Sequence, residues 1–253
     1  MIYYISNMKI QYISDIHLEH YNRLPKIKQI GDVMVLAGDI GYPFSGLYKD
    51  FLIDMNNKFK KVFLITGNHE FYNSGKNINK SMEEIDDHIR NLIIDNKLTN
   101  VSYLDNSYED YDGVRFCGTT LWTQITDPRY LINDFSIIKD MTIEFRNELF
   151  RNSCEFIDET INKEDSLPIV MISHHVPSYK LIHHSYLTDE YKNYNQCYAS
   201  NCEQYFKDPI KIWIFGHTHK EWNTEIDGIK FLCNPQGYPG ENKCIDLERI
   251  VEF

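Results

Sequence analysis

The chain has 253 residues, 42% of them apolar and 25% charged, with a formal net charge of −11 at pH 7. That composition is ordinary for a soluble globular protein long enough to bury a core without staples. The acidic balance disfavours nonspecific grip on nucleic acid or anionic membranes, and no run approaches the roughly 20 apolar residues of a membrane span.

Met1–Asn7 lacks the basic-then-apolar layout of an export signal. Met8-Lys9-Ile10 is a natural strand start, so residues 1–7 read as a short extension and Met8 as an alternative start. The apolar run Ile10–Ser14 ends in Asp15-Ile16-His17. Leu24–Ile30, with Pro25 at its start, is expected to form a short helix. Val33–Ala37 ends in Gly38-Asp39. Leu47, Phe51, Met55 and Phe59 then recur at four-residue spacing, which predicts an amphipathic helix. Val62–Thr66 ends in Gly67-Asn68-His69-Glu70. Ile78, Met82, Ile85, Ile89 and Ile93 predict a further helix, with Glu83 and Glu84 near its start. Strands alternating with helices in this way predict a parallel sheet.

The middle of the chain changes character. Val101–Leu104, Tyr108–Tyr111 and Val114–Trp122 read as strands, with Asp112-Gly113 as a hairpin turn. Phe145, Leu149, Phe156 and Ile161 mark a long helix. Ile169–Ser173 ends in His174-His175, and Ile212–Phe215 ends in Gly216-His217-Thr218-His219. Glu225–Ile226 and Ile229–Cys233 form a second hairpin across Asp227-Gly228. Val114–Trp122 and Ile229–Cys233 carry no ligands and are expected to build a second sheet. Tyr186–Tyr205 is polar and tyrosine-rich, which suits either a substrate-facing flap or a solvated connector. Of the six cysteines, Cys117 and Cys233 lie inside apolar runs and none are paired as Cys-x-x-Cys. A reduced, cytoplasmic chain is the expectation.

Five apolar runs thus end in metal-capable residues. Ligands in open α/β sheets gather at the carboxyl ends of the strands. The expectation is that Asp15, His17, Asp39, Asn68, a histidine of the His174-His175 pair, His217 and His219 meet at one edge of one sheet and hold two metal ions. Each motif is weak alone; order, spacing and the preceding strand give the set its weight. His174 and His175 compete for one place, because adjacent side chains diverge. His20, His88, His183 and His184 fall outside the motifs and read as surface or hydrogen-bonded side chains.

In this order, Asp15-x-His17, Gly38-Asp39, Gly67-Asn68-His69-Glu70, His174 and Gly216-His217-x-His219 resemble the calcineurin-like metallophosphoesterase superfamily, from about Ile10 to Gly240. Gly118-Thr119-Thr120-Leu121-Trp122, His174-His175-Val176-Pro177-Ser178 and Asn234-Pro235-Gln236-Gly237-Tyr238-Pro239-Gly240-Glu241 further resemble a compact, microbial-type branch of it. The resemblance implies an α/β chain of α+β-like, four-layer form: two packed mixed β-sheets flanked by helices, in a single domain over 1–253. It implies one metal on Asp15, His17, Asp39 and His219, and another on Asp39, Asn68, His174 and His217, with Asp39 bridging. It makes His69 the catalytic group that protonates the leaving group or stabilises the transition state. His175 is left to support the ligands or to bind substrate. A donor set rich in histidine suits two divalent ions of Mn, Fe, Zn, Co or Ni better than magnesium. The implied reaction is attack of a metal-bridging hydroxide on phosphorus.

Protein Ser/Thr phosphatases of that superfamily extend Gly-Asp into Asp-Arg, whereas Gly38-Asp39 continues as Ile40-Gly41-Tyr42. The expectation is therefore that both the acidic orienter of the catalytic histidine and the arginine clamp are missing. A monoester dianion favours such a clamp, so a small phosphodiester or nucleotide-type substrate is expected. Tyr186, Tyr191, Tyr194 and Tyr198 suit stacking on a base or a surface place. The competing readings are a phosphomonoesterase or protein phosphatase, and a noncatalytic scaffold that binds a partner protein on the same fold.

Overall fold

The computed structural model describes residues 8–165, 167–242 and 245–253. The expected extension at residues 1–7 and Cys244 lie outside them. Strands β1 (Lys9–Ile13), β2 (Val33–Ala37), β3 (Lys61–Ile65), β4 (Val101–Tyr103) and β11 (Ile250–Glu252) form one sheet, in the order β11-β1-β2-β3-β4. Three of its four pairings, β1-β2, β2-β3 and β3-β4, are parallel, and β11 runs antiparallel along β1. A second sheet has the order β5-β6-β7-β8-β10-β9. Its strands are β5 (Ser107–Tyr111), β6 (Val114–Thr119), β7 (Ile169–Ser173), β8 (Ile210–Ile214), β9 (Trp222–Ile226) and β10 (Ile229–Cys233).

The central strands are buried on both faces, which is why each reads as an unbroken apolar run. Alternate residues divide between two cores. Tyr12, Val35 and Phe63 are aligned across three strands and face the other sheet. There Phe63 stacks on Phe116, ring centroids 4.1 Å apart. Their neighbours Ile13, Leu36 and Leu64 face outward, against the helices α1 (Gly46–Lys58) and α2 (Met82–Asp95). On the far side, Cys117, Met171 and Trp213 of the second sheet pack with Ile157 and Ile161 of helix α4 (Ile143–Ile161). The result is four layers, helices outside and two mixed sheets inside, as expected. A short helix, α3 (Asp134–Ile137), precedes α4.

Several expectations need correction. The ligand-bearing runs do not share one sheet: β1, β2 and β3 belong to the first, while β7 and β8 join β6 and β10 in the second. Buried parallel strands look alike whichever sheet takes them, so the apolar pattern carries no sheet assignment. Residues 24–30 form no helix. The Gln11 side chain takes the N–H groups of Ile30 and Gly31 and donates to the Lys28 carbonyl, and Lys58 donates to Ile27 O. Those tertiary hydrogen bonds hold the segment open. Helix α2 starts at Met82, behind a capping box made by Ser81 and Glu84, so Ile78 lies outside it and is exposed. Strand β6 stops at Thr119 because Leu121 turns left-handed, φ 49°. Among the described residues no helix is long and apolar enough to cross a membrane.

Candidate metal centre

The strands end in backbone that few side chains adopt. Asp15, His17, Asp39, His217 and His219 all have left-handed φ, between 48° and 65°. Such conformations cost roughly 1–3 kcal/mol each and gather where a site demands them. The turns are held by their neighbours: Asp15 N donates to Gly38 O, His17 N to Asp39 O, and Gly216 N to His174 O. Gly67 is required as well, because a Cβ there would collide with the Asp39 carboxylate and the His174 ring. Glu70 supports the turn from full burial. Its two oxygens accept the N–H groups of Asp39, Ile40, Gly41 and Gly67, tying the end of β2 to the end of β3.

The structure brings all seven expected ligands together. Asp15, His17 and His219 offer donor atoms within 4.8 Å of one another, and so do Asp39, His174 and His217. Asn68 Oδ1 lies 3.1 Å from His174 Nε2 and joins the second group. Asp39 Oδ2 stands between the groups, 3.8 Å from His17 Nε2 and 3.3 Å from His174 Nε2.

Outer partners decide what the inner atoms are. His17 Nδ1 faces the Glu19 carboxylate at 2.9 Å, His219 Nδ1 faces Glu241 at 2.6 Å, and His174 Nδ1 faces the Ala37 carbonyl at 3.0 Å. Each must be the N–H of its ring, which leaves the inward Nε2 as a lone pair when the ring is neutral. Yet His17 Nε2 and His219 Nε2 are 3.1 Å apart, and His174 Nε2 is 3.2 Å from His217 Nδ1. With neutral rings, lone pairs and the Asp15 carboxylate point at each other around His17 and His219, and among the described residues His217 Nε2 is buried without a hydrogen-bond partner. Such a crowding of acceptors favours a positive charge among them, whether protons or a bound cation. The local field agrees. Burial works against charge on His174, but the Asp39 carboxylate prevails and holds it up at about 9. Burial is likewise outweighed at His219 by hydrogen bonds to Asp15 and Glu241, which hold it at about 10. The donor chemistry fits a pair of divalent metal ions.

His69 lies at the lip of the same cluster, its N–H donating to Asp39 Oδ1 at 2.8 Å. Here a further expectation fails. An acidic orienter is present: Glu19 Oε1 lies 3.1 Å from His69 Nδ1 while also holding His17. It arrives from the turn after β1, not from the Gly-Asp motif, so a search along that motif could not find it. Its only sequence signal is its place two residues beyond His17. Burial pushes the Glu19 carboxyl up, but hydrogen bonds from His17 and His69 outweigh it and hold the group at about 2. On the other side of the ring, the Tyr238 hydroxyl lies 3.1 Å from His69 Nε2.

Behind Asn68 runs a buried network with no motif signal. Asp134 Oδ1 accepts from the Asn68 amide and the Tyr72 hydroxyl, each at 2.9 Å, and Asp134 Oδ2 accepts from Arg146 Nη1 at 2.7 Å. Because Asn68 donates outward to Asp134, its carbonyl oxygen must face the ligand cluster. Arg146 Nη2 also lies 3.2 Å from His175 Nε2. His175 is fully buried, with Nδ1 3.1 Å from Thr120 O and its ring 4.3 Å from that of His217. It supports a ligand from behind and lies outside the cleft.

The model of the calcineurin-like phosphoesterase family matches residues 8–221. The chain belongs to that family. It is 26% identical, over 96% of its own length and 98% of the other's, to an uncharacterized protein of Acanthamoeba polyphaga mimivirus. A phosphopantetheinyl hydrolase from Mycobacterium tuberculosis superposes with a TM-score of 0.75 at 15% identity, covering 97% of this chain and 95% of that one. That likeness is one of fold.

In this calcineurin-like phosphoesterase chain, a cavity of about 680 Å³ opens directly on the cluster. Asp39, Asn68, His69, His217 and His219 line one end of it. Among the described residues no lysine or arginine lines it. The tyrosine-rich segment lines the other end, through Tyr186, Tyr191, Tyr194 and Tyr198.

Proposed function

We propose that this family member is a dinuclear metal-dependent phosphoesterase acting on a small phosphodiester or nucleotide-type substrate. The observation that carries the reading is the pair of histidine–carboxylate clusters with the Asp39 carboxylate between them and His69 at their lip. Asp15, His17, Asp39 and His219 would hold one divalent ion, and Asp39, Asn68, His174 and His217 the other. Bound ions of this kind neutralise charge on the phosphoryl oxygens and make a water nucleophilic near neutral pH.

The protein's own groups supply the rest. Glu19, ionised through the neutral range, keeps the His69 ring oriented with Nδ1 outward. Burial lowers the tendency of His69 to carry a proton, but the charges of Asp39 and Glu19 reverse this and raise it. His69 can thus present a proton from Nε2 to a departing alkoxide. The Tyr238 hydroxyl at 3.1 Å marks where an oxygen meets that nitrogen. The lack of lysine and arginine among the described residues of the lining supports a diester, which carries one charge, over a monoester dianion that favours a guanidinium fork. On the reading of its cysteines as reduced thiols, we place the chain in the cytoplasm.

The test is hydrolysis of bis(p-nitrophenyl) phosphate and p-nitrophenyl phosphate by the full chain loaded in turn with Mn²⁺, Fe²⁺, Co²⁺, Ni²⁺ and Zn²⁺. Metal-dependent turnover with the diester preferred is expected. A strong preference for the monoester would transfer the reading to a phosphomonoesterase. Two bound ions without turnover of either ester would leave a binding scaffold.

A further inference from the structure

Half of the cavity has no part in phosphoryl chemistry. It lies between two loops, one around residues 130–133 and the other at 182–198, and its walls are Leu131, Ile132 and the four tyrosines 186, 191, 194 and 198. The aromatic surface begins at the metal centre itself, since the Tyr198 ring is 4.9 Å from that of His217 with a 31° tilt. Tyr194 meets Tyr130 across the two loops at 5.4 Å, and Tyr186 meets Tyr191 at 6.1 Å.

These loops are tied together. Gln196 accepts from the N–H groups of Thr126 and Asp127 and donates to the carbonyls of Asp127 and Tyr130. Asn195 donates to Tyr186 O, Arg146 to Cys197 O, and Val176 pairs with Ala199. A wall held by so many backbone hydrogen bonds is formed before substrate arrives, so its aromatic faces need little ordering on binding. Among the described residues, the charges on the lining outside the ligand cluster, Glu190 and Glu241, are negative. They repel a second phosphate and do not oppose a neutral ring. The amide of Asn133 on the same lining can meet the polar edge of a heterocycle.

We propose that this half of the cavity is the subsite for an uncharged, planar, nucleobase-like arm of the phosphodiester, with Tyr198 as the residue that sets the preference. The inference rests on the phosphodiesterase reading and deepens it: the phosphate sits on the ligand cluster while one ester arm extends along the tyrosines. Base–aromatic stacking is sequence-tolerant, so the subsite selects for a ring rather than for a particular base.

The experiment pairs binding with turnover. Thymidine 5′-methylphosphonate and methyl methylphosphonate share a monoanionic head and differ in the arm. Their affinities are measured by calorimetry on the Mn²⁺-loaded full chain and on its Tyr198→Leu and Tyr194→Ala variants. The nucleoside compound is expected to bind at least about tenfold tighter, the scale of one stacking contact. Either substitution is expected to narrow that gap, Tyr198→Leu to within about threefold. The second variant guards against a folding defect in the first. Equal affinities in the unsubstituted chain, or a gap untouched by both variants, overturn the subsite. Turnover of p-nitrophenyl diesters is followed in parallel. Base-dependent binding without turnover would uphold the subsite and overturn the catalytic reading, whereas turnover without base preference would do the reverse.

Discussion

The two sheets contribute different chemistry to one site. The first delivers both carboxylates, Asp15 after β1 and Asp39 after β2, together with the His17 imidazole and Glu19 after β1 and Asn68 and His69 after β3. The second delivers imidazoles alone, His174 after β7 and His217 and His219 after β8. The carboxylate side sets the charge. Burial pushes Asp39 up, but the positive field of His174 and His69 prevails and holds it well below the usual carboxylate range. The imidazole side sets shape, because each ring is held from outside by a carbonyl, a carboxylate or a packed neighbour. Neither sheet has a complete set of donors for either proposed ion, so the proposed centre can form only where the two meet.

The sharpest way to break that division is to remove the shared charge. Asp39→Asn should lower both metal stoichiometry and diester turnover, the latter by on the order of a thousandfold, since several kcal/mol of charge stabilisation go with it. His217→Ala, on the imidazole side, should lose one ion and keep the other. Metal analysis by mass spectrometry distinguishes the two, and equal stoichiometry in both variants would erase the contrast.

His69 belongs to the carboxylate sheet without being one of the seven ligands. His69→Gln should lower kcat roughly 10²–10⁴-fold, the usual worth of a positioned proton donor, while two ions remain bound. Loss of an ion in that variant would make His69 a ligand, a possibility the geometry raises by placing it within reach of His17 and Asp39.

The network behind Asn68 crosses between the sides. Arg146→Met strands the buried Asp134 charge and should cost about 3–5 kcal/mol of stability, read from chemical unfolding. Asp134→Leu with Arg146→Met should cost much less than the sum of the single changes. A simple sum would show that the pair acts as two separate residues.

The smallest effect concerns Glu19. Glu19→Gln should lower turnover about 10–100-fold, as loss of an orienting partner does. Its carboxyl sits at about 2 in the folded chain against 4.5 ordinarily. The folded value is depressed, so its contribution to stability is complete above pH 4.5 and is lost as the pH falls from there towards 2. Metal-free Glu19→Gln protein should show a shallower decline in stability across that window. Parallel curves for the two proteins would contradict the ion pairing.

Much of the site was legible because strand, turn and ligand are adjacent in the chain. Gly67-Asn68-His69-Glu70 announces a tight turn and two functional side chains together, and the turn is where the motif places it. Glu19 escaped notice because its partner His69 is fifty residues away. Asp134, Arg146 and Tyr238 escaped for the same reason: each acts through a contact that no spacing rule encodes. The segment 24–30 failed in the opposite direction. Its local pattern suggested a helix, and the side chains of Gln11 and Lys58 took the backbone groups a helix would have used.

The sequence by itself determined which residues are chemically fit to bind metal, and that each stands at the end of a buried strand, because periodicity and turn residues act over a few positions. Only the tertiary structure decided that those strands belong to two sheets, that a glutamate from one loop orients a histidine from another, and that the tyrosines gather along one cavity. Each of those outcomes depends on groups far apart along the chain competing for the same hydrogen bonds and the same buried volume, and that competition is settled only when the layers pack.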